Sequence, residues 1–197
     1  MANLDAPFGF RPCRHLYGGI IRASDRYRIA SAYGTDIFEG DMVTVDGSGN
    51  IVIGSATGGF IGAFAGVEYV ASDGSIVFKN RWVASTVLQT GSVAKALVYD
   101  DPAITYEVQA TGDIARADIG LLIDIDVTGS GSTVTGRSAQ GVGAHAGSEA
   151  NFRILNIIEK PRRNAAGNQA MTAAGQDAIV EVQIHEPLLV AVSGSEI

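Results

Sequence analysis

Asp41-Met42-Val43-Thr44-Val45-Asp46-Gly47-Ser48-Gly49-Asn50-Ile51-Val52-Ile53 is the stretch that decides the fold class. Two short runs rich in β-branched residues flank Asp46-Gly47-Ser48-Gly49, whose members tolerate positive φ, so the stretch predicts a β-hairpin. Alternation places Met42 and Thr44 on one side of the first strand and Val43 and Val45 on the other. Neither side is polar throughout, so the pair is only loosely amphipathic.

The same rhythm runs outward in both directions. Tyr27-Arg28-Ile29-Ala30 is a strand candidate before the hairpin, and a longer apolar run, residues 60–70, follows it. Gly62 and Gly66 interrupt that run and are expected to allow bulges or bends in a buried strand. Further strands are expected within residues 75–78, 94–99, 105–109, 120–127, 132–135, 151–159 and 178–185. In the last of these Val180, Val182 and Ile184 alternate with Glu181, Gln183 and His185, the pattern of a half-buried strand. Residues 113–117 are compatible with one helical turn or a short helix, and residues 164–176 read as a loop excursion. Roughly ten short strands without a long helix predict an all-β fold, a compact jelly-roll-like sandwich or barrel with little helix.

Composition agrees. The 197 residues suffice for one domain with its own core, and 25 glycines with 18% charged residues suit many tight turns. The single cysteine, Cys13, excludes an intrachain disulfide framework. The opening lacks an apolar run before a small-residue cleavage site, so no signal peptide is expected. The run 60–70 is too short to span a bilayer, and no membrane association is expected.

Residues 1–26 read as an extended N-terminal arm and residues 27–197 as one β-rich domain. The opening contains Ala6-Pro7-Phe8-Gly9-Phe10-Arg11-Pro12-Cys13-Arg14-His15, then Tyr17-Gly18-Gly19. Its prolines and glycine break any helical run, and no periodicity would let it fold on itself. Phe, Tyr and Arg commonly carry binding energy at interfaces, so Phe8, Phe10, Arg11, Arg14 and Tyr17 are the candidate anchors for a partner. Residues 1–30 hold five arginines against Asp5 and Asp25, a net +3, which leaves −10 on the rest of a chain of net −7. A basic arm on an acidic body would steer toward an acidic neighbour, including another copy. Asp100 and Asp101 are the matching candidates for pairing with basic neighbours. The overall negative charge argues against general nucleic-acid binding.

No catalytic or metal constellation emerges, and no cofactor is expected. His15, His145 and His185 lack zinc-site spacing. Asp124-Ile125-Asp126 would put two carboxylates on one strand face, as a hard cation or a glycosidase requires, but EF-hand spacing and an aromatic sugar platform are missing. Residues 129–136 lack the lysine and following helix of a phosphate loop. Neighbouring arginines would depress the Cys13 thiol pKa, but no general base stands in a defined relation to it. Lys160-Pro161-Arg162-Arg163 is a basic run at a strand end, suited to solvent, an acidic partner or nucleic acid.

Four ordered stretches resemble the capsid cement (head decoration) proteins of tailed bacteriophages. They are Ala6-Pro7-Phe8-Gly9-Phe10-Arg11-Pro12 with Arg14-His15-Leu16; Tyr99-Asp100-Asp101-Pro102 running into Tyr106-Glu107-Val108-Gln109; Asp118-Ile119-Gly120-Leu121 with Thr135-Gly136-Arg137-Ser138; and Phe152-Arg153-Ile154-Leu155 with Pro161-Arg162, closing at Val182-Gln183-Ile184-His185-Glu186. Together they span nearly the whole chain. Cys13 departs from the pattern, standing where an aliphatic residue is expected. The resemblance implies a β-rich body, often jelly-roll or barrel-like, made in the bacterial cytoplasm and carried on the outer surface of the virion capsid. It implies a non-enzymatic homo-oligomer, dimer or trimer, that clamps adjacent subunits of the major capsid protein. Another virion role, at the head–tail junction or in the tail, is the nearest alternative. A carbohydrate-active β-sandwich using the acidic segment is the more distant one.

Overall fold

The computed structural model describes residues 3–56, 58–145, 147, 151–163, 169–171, 173–185 and 187–188, with the backbone alone at 162–163 and 169–171. In chain order the strands are β1 (Arg11–His15), β2 (Ser24–Ile29), β3 (Ile37–Phe38), β4 (Met42–Val45), β5 (Ile51–Ile53), β6 (Gly62–Val70), β7 (Ile76–Lys79) and β8 (Arg81–Trp82). There follow β9 (Ala94–Tyr99), β10 (Ile104–Gln109), β11 (Asp113–Ile114), β12 (Leu122–Ile123), β13 (Ile125–Asp126) and β14 (Gly141–Val142). The last are β15 (Phe152–Ile157), β16 (Pro161–Arg163), β17 (Gln169–Met171), β18 (Gly175–Gln176) and β19 (Ile179–Ile184). The chain is all-β. Among the described residues the only helical turn is a 3-10 turn, Arg116–Asp118, and no helix is long and apolar enough to cross a membrane.

Two large antiparallel sheets organise these strands. The first has the order β1-β10-β19-β15-β12; the second runs β2-β9-β6-β4-β5, with β7 added on β6. No hydrogen-bonded ladder closes either sheet among the described residues, although β5 returns beside β2 at the ends of the second, and the apolar side chains gather in two buried clusters. In the first core Phe152 is stacked between Phe10 and Phe60, at centroid separations of 4.9 and 5.5 Å. The second gathers around Trp82, whose indole N–H donates to the Tyr33 carbonyl at 3.2 Å.

The hairpin at 41–53 forms as its sequence predicts. Val43, Thr44 and Val45 pair with Ile53, Val52 and Ile51. Asp46 Oδ1 accepts the backbone N–H groups of Ser48 and Asn50 at 2.9 and 2.8 Å, an Asx-type closure of the turn. Its loosely amphipathic pattern also has an explanation. Met42 belongs to the first core and Val43 to the second, as do Ala63 and Phe64 on the adjoining strand. Chain that separates two cores has no polar side to show.

Gly66 stands at the expected bulge, whereas Gly62 serves a close backbone approach instead. The β6–β9 register shifts between Phe64 and Gly66, and a Cβ at Gly62 would collide with the Tyr99 carbonyl.

Other expectations change. Residues 120–127 divide into two short strands serving different sheets, β12 against β15 and β13 against β14. Residues 132–135 form a turn rather than a strand: the Gly136 N–H donates to Ser132 O, and Val134, 94% exposed, finds nothing to pack on. At 113–117 a two-residue strand precedes the 3-10 turn. Of the excursion expected at 164–176, residues 164–168 and 172 lie outside the described residues, and Gln169–Met171 pairs with Pro161–Arg163.

Candidate interaction surface

The N-terminal segment is extended, as its prolines dictate, but it lies along its own body. Asn3 Nδ2 donates to the carbonyls of Ala173 and Gln176 at 3.0 and 2.7 Å. The Ala6 N–H donates to Gln109 Oε1 at 2.9 Å, and Gln109 Nε2 donates to the Leu4 carbonyl at 2.6 Å. Gly9 sits at φ +74°, where a Cβ would meet Ser138, and its turn sends Phe10 inward. β1 then pairs with β10 as the first sheet's edge strand, where Pro12 can be tolerated without an N–H. Residues 3–15 are therefore not a free arm. Phe10, 1% exposed, is a core residue and not a partner anchor.

The other candidates scatter along this edge. The Arg11 guanidinium lies 4.8 Å from the Phe8 ring centroid, a cation–π contact beside a groove that Glu39 and Arg137 also line. Arg14 reaches across β10 to Glu181 at 2.7 Å, and Glu181 also accepts the Thr105 hydroxyl at 2.7 Å. This explains why Glu181, on the polar side of its strand, is only 9% exposed. Cys13 falls at the β1 register shift, its Sγ 3.4 Å from the Thr105 carbonyl. Burial raises the thiol pKa, helped by Glu181 and Glu107 against the opposing Thr105 hydrogen bond and Arg14. Arg14 pulls the thiol down, as expected of a neighbouring arginine, but burial outweighs it and the net shift is upward.

Tyr17, Asp101 and Asp100 do converge, around the connection between β1 and β2. Tyr17 and Ile20 are 85% and 89% exposed there. His15 shapes this loop. Its Nδ1 accepts the backbone N–H groups of Tyr17 and Gly19 at 3.1 and 3.0 Å, so the ring proton resides on Nε2, which donates to Asp101 Oδ2 at 3.1 Å. Gly18 has φ +77°, and a Cβ on Gly19 would press on the imidazole at 2.8 Å. The Tyr17-Gly18-Gly19 sequence is thus what a tight loop over a histidine requires. Asp100 accepts the Tyr27 hydroxyl at 3.0 Å; burial and that carboxylate push the phenol up to about 12. Both acids therefore hold N-terminal residues of their own chain. Between them and Ile20, a shallow groove is lined by Arg22, Asp25 and Arg26. Ile20 and His15 are the residues that sequence reasoning missed.

The remaining polar candidates are bound locally. Asp126 accepts the hydroxyls of Thr111 and Thr128, both at 2.6 Å, whereas Asp124 accepts the Asn151 N–H at 3.3 Å. Hydrogen bonds to the carboxylate outweigh burial and lower the Asp126 pKa. Among the described residues no three His, Cys, Asp or Glu side chains are grouped to hold a metal. His145 Nδ1 lies 2.8 Å from the Leu122 carbonyl. Lys160 donates to Glu107 at 2.5 Å. The side chains of Arg162 and Arg163 fall outside the description.

No family model, curated protein or solved structure matches this chain.

Proposed function

We propose that this chain is a structural virion protein of the capsid cement type, binding the outer surface of a phage head and bridging adjacent major capsid protein subunits as a homo-oligomer. The observation that carries the reading is the Tyr17–Ile20 loop. It presents an aromatic and an aliphatic side chain to solvent from a backbone already held by His15. A preformed loop loses little conformational entropy on docking, and Tyr is a favoured interface anchor. Arg22 and Arg26 beside it supply polar and charged rim contacts. Repetition over a shell turns modest single contacts into firm attachment. The ordered resemblance along the chain supports the same reading.

Removing residues 1–22 is not a clean test, because Phe10 and β1 would be lost from the core and sheet. The test is Tyr17→Ala combined with Ile20→Ser, in heads of the phage that carries this chain. We expect shell occupancy to fall at least about tenfold while the melting temperature of the isolated protein stays unchanged. Full occupancy by the double variant overturns the reading. Copy number in a particle reconstruction separates shell cement, present all over the surface, from a head–tail or tail component confined to one vertex.

A further inference from the structure

The second sheet ends in an edge built for pairing. β7 has β6 on one side and no strand on the other among the described residues. Its residues Ile76 and Phe78 are 77% and 67% exposed, unusual for large apolar side chains on adjacent same-face positions. Cross-strand partners share a face, so Phe78, Glu68, Lys95 and Arg28 form one outward row across four strands. Ile76 lies in the next outward row, opposite Val70, with Val93 bordering the same hollow. Val77, between them, packs against the second core. An exposed apolar edge strand is a template for a further strand.

The charges at the two ends of β7 select the added strand. Lys79 closes it and makes no ion pair among the described residues. Asp73 lies in the preceding turn, its Oδ1 accepting from the Ser75 N–H and hydroxyl at 2.9 and 2.7 Å. We propose that β7 pairs with β7 of a second copy, antiparallel and centred on Val77. This register sets Ile76 of each copy against Phe78 of the other and Lys79 opposite Ser75, beside the Asp73 carboxylate that holds it. Parallel pairing would bring Lys79 against Lys79. The contact is isologous and self-complementary, and it joins two six-stranded sheets into one. Four residues per strand bury well under the ~1,200 Å² of a standard stable interface, so the pairing is weak in solution and gains strength where copies are already held side by side. It supplies the self-contact of the cement reading but is tested without a capsid.

Sedimentation equilibrium of the isolated protein, taken to about 1 mM, should show reversible dimerisation that Phe78→Lys abolishes, with an unchanged melting temperature as the control for folding. Register is read in a Cys13→Ala background. A mixture of Ile76→Cys and Phe78→Cys proteins should cross-link on mild oxidation faster than either variant alone. A strict monomer at all concentrations, dimerisation unaffected by Phe78→Lys, or equal cross-linking in the mixed and single samples overturns the proposal. These outcomes are independent of the Tyr17/Ile20 occupancy test, so either reading can fail alone.

Discussion

Phe10 lies face to face with Phe152 at 4.9 Å, their planes 22° apart, joining the beginning of the chain to a central strand of the first sheet. Phe10→Ala deletes a fully buried ring from that stack and should cost about 3–5 kcal/mol. Urea denaturation of the variant would show a lower midpoint at constant slope. A midpoint equal to that of the parent would mean that the segment is not part of the core in solution.

His15 and the loop it supports give a local test. His15→Ala removes the acceptor for the Tyr17 and Gly19 N–H groups without touching the first core. Amide exchange at these two positions should accelerate, while the amides of β10 and β19 keep their protection. Unchanged exchange at Tyr17 and Gly19 would show that the histidine does not hold the loop.

Asp41 brings a pH dependence of unusual sign for a carboxylate. It is 2% exposed, and burial raises its pKa from 3.8 to about 6, against the opposing hydrogen bonds from the Phe38 N–H and Ser138. The native state therefore binds the proton more tightly than the unfolded chain. Its contribution to stability is fully present below pH 3.8 and is lost as pH rises through 6. Relative to Asp41→Asn, the parent should gain about 2 kcal/mol between pH 7 and pH 4. Parallel stability curves for the two proteins would exclude a raised Asp41 pKa.

Two glycines should respond very differently to the same substitution. Gly62→Ala drives a methyl into the Tyr99 carbonyl between β6 and β9, where only backbone could yield, and should destabilise by about 1–3 kcal/mol. Gly47→Ala meets open space and should change stability by under ~0.5 kcal/mol. Equal melting temperatures for the two variants would contradict the close β6–β9 approach.

The Cys13 thiol should be slow to alkylate. Although the residue is exposed at the sheet edge, its sulfur lies against Thr105, and burial with two nearby glutamates disfavours the thiolate. Iodoacetamide labelling near neutral pH should lag behind a free cysteine in the same buffer. Faster labelling would mean that Arg14 governs the thiol after all.

What was legible in the chain was local. The hairpin at 41–53 needs only its own turn residues, and the bulge at Gly66 only its own run. Phe10 was opaque because its partners, Tyr106 and Phe152, lie far along the sequence, and Pro-Phe-Gly-Phe-Arg-Pro has no period to betray a core face. Tyr17 could be singled out by type. Ile20 could not, since it adjoins Ile21, which packs against the first core while Ile20 points away. Alternation also misjudged Glu181: the strand pattern marks its side as polar but cannot foresee Arg14 and Thr105 closing over it.

The strand orders also prescribe a timetable. Every strand of the second sheet lies between Ser24 and Tyr99, so that sheet can close as soon as Tyr99 has left the ribosome. The first sheet cannot: β10 needs β19, and Phe10 waits for Phe152. Such long-range closure is slow and leaves apolar surface uncovered meanwhile. Phe10 is thus made long before the ring it stacks on, and it stays accessible to chaperones or to neighbouring nascent chains until Phe152 has emerged.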